Sequence, residues 1–221
     1  MTALILSLYE DVLPAGCAPV HLPSLPRSLY VRDGALMVES EHSSQWLTTG
    51  QALVEDHPHT LLAGTDCPVT LWRWELSRGD SGPLRAAPAT ESTLKLETGL
   101  TLPNGYEWLM RCDRVAFPKG GTAWTHVHQG PGIRCCLEGE ITIETEGEIH
   151  SHPAGSAWFE KGPAPVLAPT SELEETAFIR CFLLPRALKG RSSIRYVHAE
   201  DASKPKVQAY QVFAERFINL P

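Results

Sequence analysis

The sequence predicts an all-β protein in which one β unit occurs twice. Three observations carry that expectation. The 18 prolines and 17 glycines punctuate short runs rich in Val, Ile, Leu, Tyr and Trp, such as SLYVRDGALMVES (28–40), VTLWRWEL (69–76) and GEITIETEGEIH (139–150). Long amphipathic helical patterns are absent from most of the chain. Laid over itself at an offset of 105 residues, the chain matches without a gap, His21 falling on His126, Gly34 on Gly139, Gly50 on Gly155 and Glu55 on Glu160. Gly16 on Gly121, Ala18 on Ala123, Glu39 on Glu144, Glu41 on Glu146 and Ala52 on Ala157 continue the match, so turn glycines and strand parity hold register together.

Each segment takes its place from this repeat. Residues 1–78 form the first copy. Its opening MTALILSLYEDVL has no preceding Lys or Arg and runs at once into Glu10 and Asp11, the pattern of neither a secretory leader nor a membrane span. Residues 79–104 are expected as a linker, because RGDSGPLRAAPATEST is rich in Gly, Pro, Ser and Ala. Residues 105–188 form the second copy. The tail, residues 189–221, has no counterpart in the first half. Val207, Tyr210, Phe213, Ala214 and Phe217 fit a loose helical spacing while YQVF also fits a strand. Its secondary structure is therefore open, and it is expected to pack across the two copies.

Composition narrows the function classes. With 221 residues, 43% hydrophobic and 20% charged, the chain can bury a sizeable core. A net charge of −7 without any basic block argues against nucleic acid or an anionic membrane as partner. The six cysteines are scattered with no CxxC, which suggests reduced thiols and a cytoplasmic protein. No GxGxxG, GxxxxGK[ST] or GxSxG stretch is present, so neither a nucleotide cofactor nor a serine nucleophile has support.

The chemistry gathers around THVHQGPGIR (125–134). In a strand, residues i and i+2 share a face, so His126 and His128 can present two imidazoles to one ion. This HxH is followed by a strand, by Leu137-Glu138-Gly139-Glu140, by a second strand and by Pro153-Ala154-Gly155. The whole resembles the cupin family. The resemblance implies two tandem cupin barrels (jelly roll, or double-stranded β-helix) and is clearest over the second copy. Cupins include dioxygenases, isomerases, decarboxylases, sugar-binding regulators and seed storage proteins, so the resemblance leaves activity open.

The usual cupin metal site has three histidines and one glutamate. Gly120, His126 and His128 fit the start of that motif, whereas the glutamate slot falls on Gly132 and the third-histidine slot near Val166. The proline and asparagine slots fall on Lys161 and near Thr170. Glu160 keeps the strand parity of the third-histidine slot, and a carboxylate with two imidazoles is an open ligand set for Fe(II), Mn(II) or Zn(II). The first copy, however, keeps Glu55 where its HxH has become His21-Leu22-Pro23, which favours another role for the acid. Arg134 shares inward parity and is expected either to pair with Glu160 or to hold a substrate carboxylate bidentately. Trp158 is expected as an apolar wall beside Glu160. His150-Ser151-His152 and His57-Pro58-His59 read as rim features, and Trp72 and Trp74 as packing in the first barrel.

Two functions follow. One is a metal-dependent oxygenase or isomerase with Fe, Mn, Ni or Zn on His126, His128 and Glu160, and Arg134 orienting an anionic small molecule. The other is a non-catalytic, metal-free barrel that binds or senses a small molecule, in which His126 and His128 serve as hydrogen-bonding or acid–base groups. A homodimer is expected from the resemblance and the unpaired tail.

Overall fold

A computed structural model describes residues 2–79, 90–103 and 105–221. Backbone packing divides it into two compact units, Met1–Met110 with Arg216–Pro221, and Arg111–Glu215. The chain runs through β1 (Thr2–Leu13), β2 (Val20–Leu22), β3 (Arg27–Asp33), β4 (Ala35–Glu39), β5 (Ser44–Thr48), β6 (Ala52–Glu55), β7 (His59–Ala63), β8 (Val69–Ser77) and β9 (Glu91–Leu102). It continues through β10 (Trp108–Phe117), β11 (Thr122–His128), β12 (Gly132–Glu138), β13 (Glu140–Thr145), β14 (Glu148–Pro153), β15 (Ala157–Glu160), β16 (Val166–Pro169) and β17 (Thr176–Pro185). The tail adds β18 (Ile194–Tyr196), the short helix α1 (Ala199–Ser203) and β19 (Ala209–Ile218).

The duplication is visible in the topology. One set of sheets has the orders β6-β3-β8-β1-β9 and β2-β7-β4-β5, the other β15-β12-β17-β10-β19 and β14-β13-β16-β11-β18. Strands β1 to β8 thus recur as β10 to β17 in the same spatial order, with antiparallel pairing. Gly34 and Gly139 show why the offset holds. Their φ values are +88° and +72°, and a Cβ would lie 2.6 Å from the Pro68 carbonyl oxygen and 2.3 Å from that of Glu175. Only glycine fits a left-handed turn pressed against a neighbouring backbone. The match slips by one at the preceding turn, where Gly16 and Gly120 share positive φ (62° and 65°) and Gly121 does not.

One expectation changes and one open question closes. The segment assigned to a linker over 79–104 contains β9, which pairs along β1 from Thr2↔Leu102 to Val12↔Glu91. Leu94 and Leu96, then Leu100 and Leu102, alternate along it, a strand period masked by the Pro- and Ala-rich residues before it. Residues 80–89 of that stretch lie outside the described residues. The tail is neither helix nor strand throughout: it is β18, then one turn of helix, then β19, in which YQVF lies.

Each unit closes its sheets over its own apolar interior. Leu13, Leu29, Val31, Leu36, Leu61 and Leu71 are among the residues filling the first. Val115, Phe117, Ile141, Ile143, Trp158 and Phe178 belong to that of the second. Alternating side chains on facing sheets produce such a core directly. Among the described residues no helix is long and apolar enough to cross a membrane.

Candidate functional site

The second unit encloses a cavity of about 310 Å³. Its apolar wall is largely that unit's core, including Val115, Phe117, Ile141, Ile143, Trp158 and Phe178. Its polar end carries His126, His128, Glu160 and Arg180, and the tail closes it with Ser193, Tyr196, Gln208 and Tyr210.

Strand β11 brings the two histidines together, their ring centres 4.9 Å apart. His126 is 5% exposed, and its Nδ1 donates to the Trp124 carbonyl at 2.7 Å. A carbonyl oxygen only accepts, so the proton is on Nδ1, and Nε2 is left as a lone-pair acceptor at the cavity. His128 is fixed from both sides. Its Nε2 accepts from Arg180 Nη1 at 3.2 Å, and its Nδ1 donates to Ser193 Oγ at 3.3 Å. Burial holds both imidazoles below their ordinary range, His128 further because Arg180 and Arg134 stand near it.

Arg134 and Glu160 meet across β12 and β15. Arg134 Nη2 lies 2.8 Å from Glu160 Oε2, a close ion pair whose angles are not those of a hydrogen bond. Arg134 Nη1 donates to the Gly132 carbonyl at 2.6 Å, and Glu160 Oε1 accepts from Trp158 Nε1 at 2.9 Å. Burial would raise the Glu160 carboxyl, but Arg134, His126 and Trp158 hold it below the usual carboxylate range. Burial pulls Arg134 down to about 10, against the opposing pull of Glu160. Glu160 and Trp158 line the cavity; Arg134 stands behind Glu160 and is not part of the lining.

The guanidinium at the cavity is Arg180. Its Nε and Nη2 donate to Asp113 at 2.8 and 3.2 Å, and it lies 4.2 Å over the Phe182 ring. Tyr210 donates to the same Asp113 at 2.9 Å. None of Arg180, Asp113, Ser193 and Tyr210 stands out in the sequence as a site residue. A signal existed: Arg73–Asp11 is the corresponding buried pair of the first unit, at 2.6 Å. The offsets from Arg73 to Arg180 and from Asp11 to Asp113 are 107 and 102, so an ungapped 105 overlay hides both.

The first unit carries a chain of charges at the positions where the second has glycine and phenylalanine, and its own pocket, of about 260 Å³, is lined by residues that include His21, Glu39, His59 and Thr60. On β3 and β8, Arg27 pairs with Glu75 and Leu29 with Arg73; on β12 and β17, Gly132 pairs with Phe182 and Arg134 with Arg180. Arg27, Glu75, Arg73 and Asp11 form an unbroken chain of buried ion pairs of 2.8, 2.7 and 2.6 Å. Glycine and phenylalanine take the places of Arg27 and Glu75 in the second unit. Glu55, the counterpart of Glu160, turns to Arg216 at 2.8 Å.

The other histidine pairs go elsewhere. His150 is exposed and bonds to Glu148 at 3.0 Å, whereas His152 stacks on Trp158 with ring centres 4.9 Å apart. His59 is buried with Nδ1 on the His57 carbonyl at 2.9 Å, and His57 meets Arg216 at 3.1 Å. Trp72 and Trp74 are both fully buried in the first unit. Of the empty motif slots, Val166 is core beside His126 on β16, and Thr170 donates to the Gly121 carbonyl at 2.9 Å. A Cβ on Gly132 would lie 2.3 Å from Phe182 Cβ, so no side chain fits there.

Two stacked antiparallel sheets in this strand order, used twice, make a pair of jelly-roll, double-stranded β-helix barrels. This is the cupin fold, as the HxH-bearing repeat led one to expect. No family model matches the sequence, and no curated protein matches it. Solved structures do. The chain is similar to AerE from Microcystis aeruginosa, at 15% identity and TM-score 0.58 over 83% of this chain and 88% of that one. It is similar to procruciferin, an 11S globulin of Brassica napus, at 6% identity and TM-score 0.60 over 80% and 75%. A variant of salicylate 1,2-dioxygenase from Pseudoaminobacter salicylatoxidans shares 12% identity at TM-score 0.55 over 93% and 74%. At such identities the likeness is one of fold, shared by an oxygenase and a globulin alike.

Proposed function

We propose that the second barrel binds a small, mostly apolar organic molecule without a divalent metal, as a binding or sensing site, while the first barrel is its structural twin. The observation that carries this is Arg180 Nη1 on the Nε2 lone pair of His128, 3.2 Å away. A cation taken by His126, His128 and Glu160 would have to displace a guanidinium that Asp113 anchors through two hydrogen bonds. It would also sit beside two buried positive charges, with Glu160 already committed to Arg134 and Trp158. Gly132 and Val166 supply no donor atom, and among the described residues no group of three His, Cys, Asp or Glu side chains is arranged to hold a metal ion. The donor set does not fit a divalent cation.

Charge balance argues further for a neutral ligand than for the anionic one that Arg134 suggested. Arg180 is neutralised by Asp113 and Glu160 by Arg134, which leaves Lys206, held over the Tyr196 ring by three backbone carbonyls, as the one lining charge among the described residues without an acidic partner. A largely apolar cavity with a few convergent polar groups is the usual form of a small-molecule site. The test is metal analysis of protein purified without a polyhistidine tag, with calorimetric titration of Zn(II), Mn(II), Fe(II) and Ni(II). Substoichiometric metal and no His126-dependent binding heat are expected. One equivalent per chain that His126→Ala removes would overturn the proposal and restore the metal-dependent alternative.

A further inference from the structure

We infer that the ligand of the second barrel is anchored by its own hydroxyl or N–H group, donated to His126 Nε2, so that the site selects neutral alcohols, phenols or amides over ethers, hydrocarbons and carboxylates of the same shape. This rests on the small-molecule reading above and narrows it to a chemical class.

An account of hydrogen-bonding capacity at the polar end leads there. Both nitrogens of His128 are used, by Ser193 and Arg180. Arg180 spends Nε and Nη2 on Asp113, and Tyr210 spends its hydroxyl proton on the same carboxylate. Glu160 Oε1 accepts from Trp158, while Oε2 faces Arg134 as an ion pair without hydrogen-bond geometry. Besides Glu160 Oε2, two neutral acceptors remain. His126 Nε2 has its tautomer fixed by the Trp124 carbonyl and meets no donor among the described residues. Gln208 Oε1, on the tail side of the same cavity, is buried with no hydrogen-bond partner among them. A buried acceptor without a donor, as Gln208 Oε1 is, is costly, and His126 belongs to the lining of the same cavity, so a bound molecule can complete the network from there. A ligand carboxylate has no proton to give them at neutral pH. It would meet Glu160 in the lining as well as Arg180 and Lys206, so the naphthoate arm below decides between the two signs of charge.

The experiment is a matched series on the unaltered full chain: a naphthol, naphthalene, the naphthyl methyl ether and naphthoate, titrated by calorimetry at neutral pH. The four share one apolar body and differ only in the polar head. The naphthol is expected to bind about tenfold more tightly than the hydrocarbon and the ether, the worth of one donated hydrogen bond. Its binding should also shift the His126 Nε2 resonance in nitrogen–proton NMR spectra. His126→Phe, which keeps a flat ring, should bring the three neutral affinities together. Equal affinities for naphthol and naphthalene in the unaltered protein would overturn the inference and leave the small-molecule site standing. Tighter binding of naphthoate would overturn it in favour of an anion on Arg180. Binding of none of the four would overturn the small-molecule reading itself.

Discussion

Replacing Glu160 by Gln tests the buried charge pair behind the cavity. The change keeps shape and leaves an amide oxygen for Trp158, but removes the only carboxylate paired with Arg134 among the described residues. Arg134 is fully buried, and its one hydrogen bond among the described residues goes to the Gly132 carbonyl. Stranding a buried charge in this way costs about 3–5 kcal/mol. For a unit of this size, that lowers the midpoint of thermal unfolding by roughly 10 °C or more. The double variant Arg134→Met/Glu160→Met removes both charges and should recover to within about 2 kcal/mol of the parent, because an apolar pair of similar volume replaces an ionic one at little net cost. Scanning calorimetry with urea unfolding measures all three. The folded state holds Glu160 below its ordinary 4.5, so its contribution is present above that pH and is lost as pH falls through the folded value. The Gln variant should lack this acid loss. Glu160→Gln unfolding within about 0.5 kcal/mol of the parent would refute the reasoning.

Two further outcomes are expected. Gly132→Ala should destabilise by about 3 kcal/mol in urea, since its Cβ would lie 2.3 Å from Phe182 Cβ and 2.5 Å from the Cys181 carbonyl oxygen, on the neighbouring strand. Burial and then Arg27 hold His59 down to about 4, below the 6.5 of the unfolded chain, so unfolding takes up a proton between those values. Stability therefore falls as pH drops from 6.5 to 4, and His59→Phe should flatten that slope in urea midpoints taken across the window.

The fold was legible because its strongest constraints are local. Gly34 and Gly139 must be glycine for steric reasons, and such turns repeat with the strands they join. His126 and His128 were legible as cavity residues because a strand's two-residue period puts them on one face. Arg134 shows the limit of parity. Counting along β12 sends it inward correctly, yet cannot tell that it stops behind Glu160 while Arg180, on β17, reaches the cavity. That order is fixed by pairing between strands distant in sequence. β9 was hidden because its alternation follows directly on a Pro- and Ala-rich run. Ser193, Gln208 and Tyr210 lie on a tail with no counterpart in the first half, so the repeat carried no information about them.

The chain of Arg27, Glu75, Arg73 and Asp11 has a consequence for how such a duplicated gene can change. Losing Arg27 alone leaves Glu75 overcharged in a dry interior, and losing Glu75 alone does the same to Arg27. Only a simultaneous exchange of both, to something like Gly132 and Phe182, leaves a balanced Arg–Asp couple and an open chamber. Each single step is penalised, so positions 27 and 75 are expected to change together or not at all.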